Sequence, residues 1–178
     1  AKFQKCYPFE LYTDTEKYDY TVNSMGKYEG EQHPTIRAFL QDKSYGKTLE
    51  YQLAFENETN PLLISPSLQN SDELDELMSM IKQGKSIKEM LISLRSSKEN
   101  ERIKTSILAL SADNWDEDAK KKAIVASRYL NSVGKGENAL ELASILKDNL
   151  SNKGTEEYID FTVPTYIKAA IEWVCEDE

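Results

Sequence analysis

From Ser65-Pro66-Ser67 almost to its end the sequence keeps a helical period, and that run leaves room for little except packed helices. Leu74, Leu77, Met78 and Ile81 recur at three- and four-residue spacing, which puts them on one face. Asn70 with Glu73 three residues on is a start signal for that helix, and Gly84 a stop. Ser86 with Glu89 makes a second capping box ahead of Ile87, Met90, Leu91 and Leu94. The link between these two helices is short enough to predict a hairpin. A third helix carries Ile103, Ile107 and Leu110. A fourth is expected after Asn114, whose side chain can cap while Glu117 reaches back, with Asp116, Glu117 and Asp118 in a first turn where acids complement the helix dipole. Gly134 and Gly136 mark the next junction. The fifth helix then has a wide apolar face through Leu140, Leu142, Ala143, Ile145, Leu146 and Leu150, and Gly154 ends it. The last begins near Pro164, with Ile167, Ala170, Ile171 and Val174 on one side and Tyr166 and Trp173 on another. Hairpin lengths and apolar registers differ and nothing recurs at a fixed interval, so the pattern predicts an irregular bundle rather than a solenoid.

Before Asn60-Pro61 the text changes. Tyr18, Tyr20 and Val22 alternate with polar residues and run into the turn Asn23-Ser24-Met25-Gly26, as a strand does. Leu49, Tyr51, Leu53 and Phe55 also keep period two and predict a second strand, although Leu49 and Leu53 would equally suit a short helix. Phe3 to Leu11 is a third strand candidate, confined to an edge by Pro8. Ile36, Phe39 and Leu40 fit a short helix with Pro34 in its first turn. The expected fold class is therefore α+β and helix-dominated. A β-containing subdomain over 1–60 packs on a helical bundle over 61–178 as one cooperative domain, and an all-α fold is the alternative if the Leu49 to Phe55 segment is helical.

The chain's 178 residues can bury a core without disulfides or a structural metal. Cys6 and Cys175 stand at opposite ends with no CxxC spacing, which favours reduced thiols and a cytoplasmic setting. No apolar run approaches a membrane span, and Ala1 to Glu10 has no signal-peptide pattern. Acids outnumber bases 31 to 22, for a formal charge of −9 and a pI near 4.8. A surface of that sign repels nucleic-acid phosphates and anionic lipid, and attracts a basic protein. The segments 1–60, 61–112 and 113–178 carry −3, 0 and −6, so the negative surface is expected from the two ends and a neutral scaffold from the middle.

Catalytic signatures are missing. Nucleophilic catalysis needs a base beside a Ser or Cys, yet His33 is the single histidine, it sits directly before Pro34, and there is no GxSxG elbow. Three Cys and His ligands unrelated in spacing do not make a zinc site. Gly134-Lys135-Gly136 lacks the frame of a phosphate loop. The run from Asp113 to Asp118 lacks the Gly and Glu positions of a calcium loop. Asp14, Glu16 and Lys17 do not follow the order of a metal-dependent nuclease. No cofactor, metal or catalytic residue is expected.

Two clusters combine aromatic rings with carboxylates. The first runs through Asp14, Glu16, Tyr18 and Tyr20 to Glu29 and Glu31; the second joins Trp115 to Asp116, Glu117 and Asp118. Rings and acids together suit a partner rich in Arg and Lys, while a solvated strand face and a capped helix with a core Trp are the plainer accounts. In general character the chain is similar to the acidic immunity proteins of bacterial toxin systems, which share no common fold. That implies a protein-binding inhibitor that neutralises a basic nuclease toxin by covering its active site or substrate-binding surface. The alternatives are a nucleic-acid mimic of the phage counter-defence kind and a regulatory or scaffold subunit of a larger assembly. No direct contact with nucleic acid or membrane is expected.

Overall fold

A computed structural model describes residues 37, 39–42, 44–111, 115–134 and 136–175. The alternating segment expected as a strand is helix α1, Leu49–Phe55. Thr48 opens it, its Oγ1 accepting from the Tyr51 amide at 3.2 Å. Tyr51, Ala54 and Phe55, at i, i+3 and i+4, are all buried, whereas Leu49 is 44% exposed. Burial has therefore selected a helical stripe over the period-two one. With this change no strand remains among the described residues, so the α+β expectation gives way there to the all-α alternative. The strand candidates at Phe3 to Leu11 and Tyr18 to Val22 lie outside the described residues.

The described residues fall into two compact units, 53–162 and a second formed by 37–52 with 163–175. In the second unit the short helix expected over Ile36, Phe39 and Leu40 is absent where it can be followed: Arg37, Phe39 and Leu40 are irregular backbone, and Pro34 and Ile36 lie outside the described residues. Phe39 packs instead against Trp173 of α7 (Thr165–Cys175), ring centroids 5.9 Å apart, with the Arg37 guanidinium 5.1 Å from its ring centroid. Asp42 closes the turn that leads to α1: its carboxylate accepts from the Ser44 and Tyr45 amides at 2.7 and 2.9 Å. Gly46 must be glycine here, because a Cβ would stand 2.6 Å from the Asp42 amide nitrogen.

Residues 53–162 begin with the last turn of α1 and continue into a short 3-10 turn, Pro61–Leu63, capped by Asn60. Helices α2 (Ser71–Lys82), α3 (Ile87–Ser93), α4 (Lys98–Ala109), α5 (Glu117–Leu130) and α6 (Glu137–Ser151) follow. Helix α5 is the centre, with α2, α3 and α4 all packed on it. Its small side chains Ala119, Ala123 and Ala126 let these neighbours approach closely, and Ile124 and Val125 are fully buried among them. Leu74, Leu77 and Met78 of α2, Met90 and Leu91 of α3, and Ile103 and Ile107 of α4 supply the facing core. Each such side chain contributes about 1.5–3 kcal/mol by leaving water.

The caps follow the sequence in part. Ser86 and Glu89 form their reciprocal box, and Gly84, at φ 69°, ends the preceding helix. Asn70 does not cap α2: it adopts φ 52°, outside the extended backbone that a capping side chain requires, and makes no cap bond. Glu73 therefore has no box to complete, and its carboxylate turns inward. Helix α5 starts two residues later than expected, with Asp116 accepting from the Ala119 amide at 2.7 Å. The burial of Trp115, edge-on to Phe55 at 6.3 Å, fixes where the chain enters.

Helix α6 departs furthest from its apolar pattern. Its buried positions are Asn138 and Asn149, while Leu140 and Leu150 are 77% and 58% exposed. Leu142, Ile145 and Leu146 are only half-buried, and hydrogen bonds carry much of the attachment. Asn149 exchanges two bonds with the Ile159 backbone (2.8 and 3.0 Å), Asn57 does the same with Thr162 (2.8 and 2.9 Å), and Asn60 donates to the Asp160 carbonyl at 2.7 Å. Three asparagines thus hold the segment 159–162 as a strand partner would.

Candidate interaction surfaces

The first acidic and aromatic cluster, Asp14, Glu16, Tyr18, Tyr20, Glu29 and Glu31, lies outside the described residues. In the second, the ring and the acids part company. Trp115 is a core residue, whereas Asp116, Glu117 and Asp118 are exposed on the start of α5. Asp116 uses one oxygen on the Ala119 amide, and Glu117 pairs with Lys121 at 3.2 Å. Asp118 makes no ion pair among the described residues. The two lysines beside Lys121 are engaged elsewhere: Lys120 donates to the Leu110 carbonyl at the end of α4 (2.8 Å), and Lys122 reaches Glu58 at 3.2 Å. What faces solvent is three carboxylates on a helix start anchored by a buried indole.

The middle of the chain is neutral in sum and segregated in space. At the first turn of α2, Asp72 hydrogen-bonds Arg95 at 2.6 Å. That bond holds the Asp72 carboxyl below its usual range and, with the nearby charges of Glu73 and Glu76, raises the Arg95 guanidinium. Beneath it Glu73 accepts from the Arg95 amide (2.7 Å) and from the Asn100 side chain (2.9 Å). Arg128 of α5 completes the set: its Nη1 donates to Asn100 Oδ1 at 2.8 Å and lies 3.6 Å from Glu73, while Nε and Nη2 donate to Ser132 Oγ. Glu73, Asn100, Arg128 and Ser132 are all buried, so this network joins three helices and offers nothing to a substrate. In the sequence only the capping-box spacing singles out Glu73, and nothing at Arg128 marks a buried cation.

A second polar cluster ties α6 to the 65–67 segment. The Ser67 hydroxyl and amide donate to Glu141 at 2.6 and 3.0 Å, and Asn138 donates to the Ser65 and Ser67 hydroxyls at 2.9 and 2.7 Å. The Ser67 bonds hold the Glu141 carboxyl below its ordinary value. That direction weakens it as a base, opposite to the tuning that would activate a serine. The pair is a structural tie.

On the far side of the hairpin, α3 and α4 leave an apolar groove of about 710 Å3 lined by Ile87, Lys88, Leu91, Ile92, Lys104 and Leu108. Its two lips, Ile92 and Leu108, are 71% and 73% exposed. Both residues lie off the apolar stripes of their helices, which is the signal that periodicity alone passes over. Cys175 is a free, exposed thiol. Among the described residues no three His, Cys, Asp or Glu side chains stand close enough to hold a metal ion, and no helix is long and apolar enough to cross a membrane. No protein family, curated protein or solved structure matches this chain.

Proposed function

We propose that the chain works by binding a protein rather than by catalysis, as an acidic inhibitor of the immunity type. Its partner would be a basic protein of the cytoplasm, a nuclease toxin above all, whose cationic active site or substrate-binding surface it covers. The observation that supports this reading is the anchored carboxylate group at Asp116, Glu117 and Asp118. These acids stand on a helix start fixed by a buried Trp115, so their charge is positioned before a partner arrives. Preorganised charge steers association and lowers the ordering cost of binding.

The test begins with affinity capture from the source cells at low and then high salt, followed by association kinetics with the retained basic protein. Glu117→Lys with Asp118→Lys is expected to slow association about tenfold at low ionic strength and to flatten its salt dependence. Asp116→Asn removes a charge while keeping a side chain that caps, so it separates lost charge from a frayed helix. Unchanged association rates in all of these variants would exclude this surface, and failure to retain any basic protein would overturn the reading.

A further inference from the structure

The groove between α3 and α4 reverses the charge of the molecule around it. In a chain of net charge −9, the only charged side chains lining it are Lys88 and Lys104. Lys88 makes no ion pair among the described residues, and Lys104 pairs with Glu101, one turn earlier on the same helix, at 2.8 Å. Leu91 is buried at the floor and Ile87 half-buried, while the lips stand in water. This lining favours an occupant that is apolar along its middle and anionic at its edges.

We propose that this groove docks an amphipathic helix of a partner protein, with an apolar stripe seated between Ile92 and Leu108 and carboxylates flanking it to meet Lys88 and Lys104. An amphipathic helix presents such an apolar stripe with charged flanks along one face. A fatty acid shares the anionic head group but brings one carboxylate, not two flanking an apolar stripe. The inference stands apart from the acidic surface on α5 and from the inhibitor reading, since it calls for a partner segment of opposite charge at a different place.

The probe is a fluorescein-labelled 16-residue helical peptide with Leu at every third or fourth position and Glu on both sides of that stripe, titrated against the full chain. Saturable binding is expected, weakened about tenfold by Lys88→Glu with Lys104→Glu, as two partly exposed ion pairs would give. Ile92→Ser with Leu108→Ser should weaken it at least as much. The charge-reversed protein should in turn prefer the same peptide with Lys in place of Glu. Circular dichroism and urea unfolding of each variant separate lost docking from lost fold. Asp118→Lys should leave peptide binding unchanged, which distinguishes this groove from the acidic surface. Absence of saturable binding up to about 1 mM peptide would overturn the proposal. So would binding that ignores the groove variants, or displacement of no peptide but uptake of palmitate that Ile92→Ser abolishes. Concentration-dependent self-association removed by Ile92→Ser, with no peptide bound, would assign the groove to a second copy and overturn it equally.

Discussion

Glu73 and Arg128 illustrate how a charged residue becomes a core residue. Neither is stable in an apolar interior alone, but Asn100, Ser132 and the Arg95 amide satisfy the donors and acceptors that their mutual attraction leaves over. Truncating one partner strands the other. Glu73→Ala is expected to cost about 3–5 kcal/mol in urea unfolding, whereas Glu73→Leu with Arg128→Met should recover most of that loss; a double-variant loss equal to the sum of the two single losses would mean that the pair is not coupled. Glu89 shows the exposed counterpart. Hydrogen bonds from the Ser86 amide and hydroxyl, then from Lys85, hold its carboxyl down at about 2 from an ordinary 4.5. Because the folded value is depressed, the cap's contribution is present above pH 4.5 and is lost as pH falls from 4.5 through about 2. A carbon-detected NMR titration should place the Glu89 midpoint near 2, and a midpoint at the ordinary value would show that the capping box does not persist in solution.

Elements in this protein are attached by two different physical means. Helices α2 to α5 follow the ordinary rule, in which an apolar stripe buries against a neighbour. Helix α6 and the segment 159–162 follow another: most of their apolar side chains stay in water or half in it, and asparagine amides do the joining. Such an attachment releases locally at lower cost than a packed helix. Asn57→Ala removes both bonds to Thr162 and should speed amide exchange of Thr162, with a local loss of about 1–3 kcal/mol from unsatisfied backbone groups. Exchange at Ile103 and Ile107, inside the α4 and α5 packing, should not change. A uniform acceleration across 53–162 would instead mean that the segment opens only with the whole unit.

At the scale of the molecule, charge is the dominant variable. A net charge of −9 repels itself in the compact state, while acids in the first turns of α2, α4 and α5 gain from the helix dipoles. The first effect is summed over the whole surface and the second is confined to a few turns. Raising salt from about 0.02 to 0.5 M, which shrinks the screening length severalfold, should therefore raise the urea midpoint. A fall would show that the helix-end attractions outweigh the repulsion. Spatial sorting matters more than the sum: the neutral stretch 61–112 folds so that acids gather around Arg95 and two lysines frame an apolar groove.

Legibility tracked the range of the interaction that decides each feature. The stripes of α2, α3 and α4, the Ser86 box and the Gly84 stop are local patterns of three or four residues, and the residues themselves determine them. Part of the candidate surface was legible in the same way, since exposed acids at a helix start need only sequence to be seen. Whether Leu49–Phe55 is strand or helix, whether Trp115 faces a partner or the core, and where the carboxylate of Glu73 goes were not, because each depends on which chain segments arrive from far away. Asn57 meets Thr162, and Glu73 meets Arg128, across separations that no local period encodes. The amino-acid sequence by itself determined a charged, helix-forming chain with most of its caps and core stripes in place. Only the tertiary structure decided which polar residues leave water and which apolar ones stay in it, because desolvation is settled by the neighbours a side chain acquires on packing.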